Sequence, residues 1–198
     1  MRRAVRTVVA VGAALLLLGA CSSDPNSVAN QANKGDRKGY VSGDGSIERI
    51  PVAKRGPVVQ LTGTTVTGKP WTSADALGKA LVVNVWGSWC SPCVAESPDL
   101  QKAWTELSAA KKPVQFVGID VQESAKTGAA FLRSRGITYP SLSDQAGVLI
   151  LDLQGKAVST PTTLVLDTKG RIAGRVSGQV SATTLTDLVD DVLSGAAG

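Results

Sequence analysis

The stretch Leu81-Val82-Val83-Asn84-Val85-Trp86 constrains the fold more than any other part of this 198-residue chain. It is almost continuously apolar and therefore reads as a strand covered on both faces, at the centre of a layered α/β sheet. Cys90-Ser91-Pro92-Cys93 follows after only three intervening residues. A helical pattern then runs from about Pro92 to Ala110, with Val94, Leu100, Trp104 and Leu107 at helical spacing. Pro98 lies inside it and is expected to kink it.

The rest of the chain alternates in the same way. Val58-Val59-Gln60-Leu61 and Thr64-Thr65-Val66 read as short strands around Gly63, closing at Gly68-Lys69-Pro70. Val114 to Ile119 reads as a buried strand ended by Asp120. Lys126 to Arg135 reads as a helix with Ala129, Ala130 and Leu132 inward and Gly136 as its stop. Leu164-Val165-Leu166, the turn Asp167-Thr168-Lys169-Gly170 and Ile172 to Val176 form a hairpin signal. A last helix starts at the cap Ser181, buries Leu185, Leu188, Val189 and Val192, and stops at Gly195. The pattern implies a mixed sheet with helices on both faces.

Composition removes several chemistries. The chain has no histidine and three cysteines, which excludes Ser-His-Asp and Cys-His nucleophile pairs, HExxH zinc sites and histidine-ligated haem. Three thiolates do not close a four-thiolate zinc site, so no metal is expected. The formal charge of +5 hints at nucleic acid, but its location matters. Arg2, Arg3 and Arg6 precede the uncharged run Val8 to Leu18. That run is shorter than the roughly 20 residues of a spanning helix and fits a secretory signal. Removing residues 1–20 lowers the charge to +2 and leaves no basic run with interleaved aromatics, so no nucleic-acid partner is expected.

Leu18-Gly19-Ala20-Cys21 resembles the lipobox of bacterial lipoproteins, in which cleavage precedes a cysteine that becomes lipid-modified. The alternatives are an ordinary cleaved signal with an incidental cysteine, or an uncleaved anchor. Residues 21–51 are rich in Asn, Ser, Gly, Asp and Lys, and read as a tether between the membrane and a domain spanning 52–195. The segment from Tyr40 to Ile50 alternatively packs on the domain as irregular structure.

The chemistry is concentrated at Trp89-Cys90-Ser91-Pro92-Cys93. A first thiol at a helix N-terminus meets unpaired amides and a dipole that favour thiolate. The second lies one turn on, within reach of an intramolecular disulfide. Cys90 is the candidate nucleophile toward a substrate disulfide and Cys93 the candidate resolving thiol. A half metal site lacks further ligands, and haem attachment requires a histidine where Val94 stands. A purely structural disulfide remains open, although so short a loop stabilises little.

The run Val83 to Cys93 resembles the thioredoxin superfamily, and within it the TlpA/ResA/CcmG branch of extracytoplasmic thiol-disulfide oxidoreductases, over roughly residues 55–194. Asn84 stands six residues before Cys90, where cytosolic thioredoxin carries a buried aspartate. Glu96 matches the branch's acidic residue, Pro98 its helix proline, and Ser124 to Asp144 its central insertion. Thr160-Pro161-Thr162 matches the cis-proline loop.

The resemblance implies a thioredoxin-like α/β fold, a mixed central sheet flanked by helices, with an N-terminal β extension and a central insertion. It implies that Glu96 tunes the thiols or moves protons, that Pro161 is cis, and that the Thr160 backbone pairs with an extended substrate. Glu96 is alternatively a solvated first-turn carboxylate, Pro161 an ordinary trans proline, and Asn84 a buried hydrogen-bonding residue. Trp89, Ser91 and Pro92 form the expected substrate rim, with Trp89 at the surface and Trp86 in the core.

The implied protein is a lipid-anchored, monomeric reductase outside the cytoplasm that needs no cofactor beyond its dithiol. Its partners are protein disulfides, with apocytochrome c the candidate, and a membrane thiol-transfer protein that keeps it reduced. The rivals are a disulfide-forming oxidase and a non-enzymatic binding lipoprotein. A thiol peroxidase is disfavoured, because Gly87 stands where its Thr-x-x-Cys pattern needs threonine.

Overall fold

The computed structural model describes Gly43 and residues 45–195. The expected signal, Cys21 and the tether up to residue 42 lie outside the described residues. Among the described residues, eight strands and three α-helices follow in order: β1 (Ile47–Arg49), β2 (Thr62–Thr64), β3 (Pro70–Thr72), β4 (Ala80–Trp86), α1 (Ser91–Ala109), β5 (Val114–Val121), α2 (Ala125–Arg135), β6 (Ser141–Asp144), β7 (Thr162–Leu166), β8 (Ile172–Ser177) and α3 (Ala182–Ser194). Six strands form one sheet in the order β1-β8-β7-β4-β5-β6, while β2 and β3 form a separate hairpin. Pairing is parallel for β4–β5 and β5–β6, and antiparallel for β4–β7, β7–β8 and β1–β8. This is the thioredoxin-like mixed sheet.

All seven residues of β4 are buried. Ala80 and Val82 face a layer that α1 and α3 build from Leu100, Ala103, Leu107, Leu185, Leu188 and Val189. Leu81, Val83 and Val85 face the opposite layer with Val59, Leu61, Ala76 and Leu153. The expected cover on both faces is thus met unequally. The α-helices pack on one side, and the other is closed by irregular chain and 3₁₀ turns at Ser73–Ala76 and Leu149–Leu153.

Helix ends follow local chemistry. Ser181 Oγ accepts from Thr184 N–H at 3.2 Å, and Gly136 and Gly195 end α2 and α3 in the left-handed conformation. Pro98 sits inside α1 without ending it. It offers no N–H to the Val94 carbonyl, and the Ser97 hydroxyl donates there instead at 3.0 Å.

Several expectations are corrected. The domain begins before Val52, because β1 adds to the sheet by pairing Ile47 with Val176 and Arg49 with Gly174. Val58 to Leu61 is not a strand: Leu61 exchanges bonds with Ser73, and the hairpin strand β2 starts at Thr62. The Thr64 to Val66 strand accordingly shifts toward the N-terminus. Asp120 does not end β5 but is buried within it. Ala130 is exposed, and Gly128 faces inward, where an added Cβ would sit 1.8 Å from Asp120 Oδ2. Val94 and Trp104 are only half-buried, since α1 turns Cys93, Glu96 and Ser97 inward.

The β7–β8 turn is held by Asp167. Its carboxylate accepts from the N–H groups of Lys169 and Arg171 and from the guanidinium groups of Arg171 and Arg55. Burial alone would raise its pKa, but these donors outweigh burial and lower it. Asp167→Asn leaves buried Arg55 short of its counter-charge, and should lower the unfolding free energy by about 3–5 kcal/mol in urea titrations at pH 7. Because the folded pKa lies below the usual 3.8, the wild-type contribution persists at neutral pH and is lost as pH falls below that value.

Candidate active site

Strand β4 ends at Trp86, and the tight segment Gly87-Ser88-Trp89 delivers Cys90 to the head of α1. Cys90 and Cys93 are joined in a disulfide with Cα atoms 5.3 Å apart, and both are almost fully buried. Cys90 is the helix N-cap, and its Sγ accepts from Cys93 N–H at 3.3 Å. Val66, Trp86, Ala129 and Leu132 pack around the pair. Gly87 is required here, since an added Cβ would meet Trp89 Nε1 at 2.4 Å. The indole thereby packs over Gly87. Trp89 is half-buried and donates through Nε1 to the Val121 carbonyl at 3.0 Å. Ser91 is exposed and Pro92 half-buried.

Glu96 lies one turn beyond Cys93 on the same helix face and is only 2% exposed, so it is no solvated first-turn carboxylate. Asn84 Nδ2 donates to its Oε1 at 2.9 Å, and Val180 N–H donates to its Oε2 at 3.1 Å. Asn84 also donates to Thr163 Oγ at 3.0 Å, which fixes it in β4 as a buried hydrogen-bonding residue. Burial pushes the Glu96 pKa up from 4.5 to about 7, against the two hydrogen bonds that favour the charged form; nearby Asp99 adds to the rise. The buried Tyr139 hydroxyl is pushed up by desolvation and by the Glu96 charge. A cavity of ≈ 10 Å³, room for about one water, lies against Cys93, Asn84, Ser97 and Tyr139.

The Thr160–Pro161 peptide bond is cis. Pro161 is buried and Thr160 half-buried, and among the described residues the Thr160 backbone makes no hydrogen bond. The loop after β8 ties this bond to the thiol site. Gly178 N–H donates to Pro161 O at 2.9 Å, and Gln179 Nε2 donates to Pro92 O at 3.2 Å.

Sequence reasoning missed three contributors. Glu123 takes the Ser88 N–H at 2.7 Å and the Ser88 hydroxyl in a very short bond, fixing the approach to Cys90. Asp120 is fully buried, and neither of its oxygens meets a donor. Burial, then its neighbour Glu123, pushes Asp120 up to about 9, so it is protonated at neutral pH. The Gly178–Val180 loop is the third. The turn-like Glu123-Ser124 and Gly178-Gln179 pairs carry no sequence sign of the partner they meet. Among the described residues, no cluster of three or more Cys, Asp or Glu is placed to hold a metal ion.

The sign of the Glu96 effect follows from its raised pKa. Folding favours the neutral acid, so its stabilisation is complete below pH 4.5 and is lost as pH rises toward 7. Relative to Glu96→Gln, the wild-type unfolding free energy should fall by on the order of 3 kcal/mol across that window, read by denaturant titration at each pH.

The AhpC/TSA family model matches residues 52–175. The thiol:disulfide interchange protein HelX of Rhodobacter capsulatus is 30% identical over 145 residues, spanning 73% of this chain and 78% of the relative. Thiol-disulfide oxidoreductase ResA of Bacillus cereus is 23% identical over 155 residues, spanning 78% and 84%. A solved structure of a DsbF homologue from Corynebacterium diphtheriae matches with a TM-score of 0.68 and 34% identity, covering 77% of this chain and 97% of that one. Enzymes of this family work through a cysteine dithiol without a cofactor, which fits the Cys90–Cys93 pair. The chain belongs to the AhpC/TSA family, and it is a thioredoxin-like thiol-disulfide oxidoreductase of the ResA and HelX type.

Proposed function

We propose that the protein is a membrane-tethered, extracytoplasmic protein-disulfide reductase. The observation that carries this reading is the Cys90–Cys93 pair with the buried Glu96 one turn below it, linked through the Gly178–Val180 loop to the cis Thr160–Pro161 bond.

In the reduced enzyme, the Cys90 thiolate attacks a sulfur of the substrate disulfide. A Cys90–substrate bond forms, the substrate S–S bond breaks, and one substrate thiolate leaves. Cys93 loses its proton to Glu96, directly or through a water in the adjoining cavity, and attacks Cys90 Sγ. The second substrate thiolate leaves, and the two electrons of the dithiol now reside on the substrate. An extended substrate pairs with the open Thr160 backbone and rests on Trp89, Ser91 and Pro92. A membrane thiol-transfer protein restores the dithiol. Apocytochrome c, whose cysteine pair must be reduced for haem attachment, is the candidate substrate.

The tether reading rests on the lipobox-like Leu18 to Cys21; no helix among the described residues is long and apolar enough to cross a membrane. Cys21→Ala should release the protein from the membrane fraction and abolish fatty-acid labelling. Retention on the membrane in that variant would dismiss the lipid anchor.

Cys93→Ser should accumulate mixed disulfides at Cys90 in cells, and Cys90→Ser should lose insulin-disulfide reduction by at least about 10³-fold. Absence of any trapped protein would remove the substrate class. A Cys90/Cys93 reduction potential near −120 mV, roughly that of strong periplasmic oxidants, would turn the reading toward the oxidase. Because Glu96 accepts a proton only once ionised, turnover should rise through about pH 7 in the wild type and lose that inflection in Glu96→Gln.

A further inference from the structure

The chain entering the domain does more than extend the sheet. Past the end of β1, Gly45 N–H donates to Ser177 O at 2.6 Å and Ser177 N–H donates to Ser46 O at 3.0 Å. Gly43 then lies directly on the backbone that leaves β8. A Cβ at Gly43 would sit 2.2 Å from Gly178 N, 2.3 Å from Ser177 C and 2.6 Å from Gly178 Cα. These are backbone atoms and have no rotamer by which to move aside. Gly178 reciprocates: its φ is +104°, and a Cβ there would meet Gly45 N at 3.1 Å and Gly43 O at 3.2 Å. Two glycines thus press one strand of chain against the other.

The segment under that close contact connects to the cis-proline loop, the head of α1 and Glu96. Ser177 Oγ meets Ser159 Oγ at 3.1 Å, Gly178 N–H holds Pro161 O, and Gln179 holds Pro92 O. Val180 N–H holds Glu96 Oε2. We infer that the strap formed by Gly43, Gly45 and Ser46 is a positioning element of the thiol site, which holds Val180 N–H on Glu96 and so sets the pH at which that carboxyl ionises. The inference rests on the placement of Glu96 in the site and deepens the reading above.

The other groups facing Glu96 stand on separate elements. Asn84 on β4 is uncharged, Asp99 on α1 raises the Glu96 pKa, and the buried Tyr139 precedes β6. Asp99 accepts from Ala182 N–H at 3.2 Å, two residues past Val180, whereas the one bond to Glu96 itself made by the loop under Gly43 is that of Val180 N–H. That contact favours the ionised carboxylate, so loosening it moves the Glu96 titration upward.

The test uses the full chain with Gly43→Ala and Gly43→Val, and reads the Glu96 side-chain carboxyl by ¹³C NMR across pH 4 to 10. The expected result is an upward shift of the midpoint by roughly half a unit or more, larger for valine. Asp167→Asn, which loosens the distant β7–β8 turn, should leave the midpoint unmoved. An unshifted midpoint in folded Gly43 variants overturns the inference, as does an equal shift in Asp167→Asn. Should both Gly43 variants fail to fold, amide exchange in the unmodified chain decides. Gly45, Ser177, Gly178 and Val180 should then open as one unit, and Val180 exchanging independently of Ser177 overturns the inference. The titration needs no substrate, so a chain that reduces no disulfide refutes the proposed function while leaving the strap to be judged on Glu96 alone.

Discussion

A carboxyl group sealed among apolar side chains is unfavourable as a charge and awkward as a neutral acid, and Glu96 is kept in that position by three elements at once. Its own helix brings it one turn beyond Cys93, β4 offers Asn84, and the loop after β8 offers the Val180 amide. Each bond favours the ionised form while burial opposes it. The balance leaves the group near neutrality, at about 7, rather than at either extreme. Much of the fold can be read as what is needed to assemble that balance. The doubly buried β4 supplies a polar residue at one point of an apolar run, and the antiparallel β7–β8 pair returns the chain so that Val180 arrives from 84 residues away.

The approach to Cys90 is set by a different kind of constraint, close packing without freedom. Gly87 leaves room for the Trp89 indole, Trp89 is pinned to Val121 O, and Ser88 is held twice by Glu123. A residue that donates from both backbone and side chain to one carboxylate has little room to rotate. The disulfide is therefore presented by a rigid entry segment on one side and a capped helix on the other, which is how a small reactive group keeps a fixed direction without a large pocket.

The legible parts of the sequence were those whose cause is local. The β4 run, the Cys-x-x-Cys spacing, the Ser181 cap and the glycine stops at 136 and 195 each depend on residues within one turn or one strand. Cys90 and Cys93 stand out by their spacing alone, whereas Glu96 stands out only through the resemblance to the branch's acidic position. What escaped depends on partners distant in sequence or on backbone groups. The Ile47–Arg49 strand has no alternating pattern and exists because β8 leaves an edge to pair with. Val58 to Leu61 looks strand-like, yet Ser73 captures the Leu61 backbone and redirects it. The Val180 donor is a main-chain N–H, which every residue but proline owns, so no residue type marks it.

The two buried carboxyls near the thiols divide the chemistry between them. Asp120, with no donor at either oxygen and Glu123 beside it, is pushed to about 9 and stays protonated through the neutral range. It contributes no charge to the Cys90 approach, where Glu123 grips Ser88. Glu96, with two donors, titrates near 7 and can take or release a proton at little cost there. The difference is made by the two donors on Glu96 and by Glu123 beside Asp120 rather than by depth, since both carboxyls are almost wholly removed from solvent. In the proposed mechanism, proton exchange with Cys93 at neutral pH falls to Glu96. On the same reading the Val180 amide, one of its two donors, is a positioning group of the thiol site, although it belongs to a loop whose side chains do no chemistry.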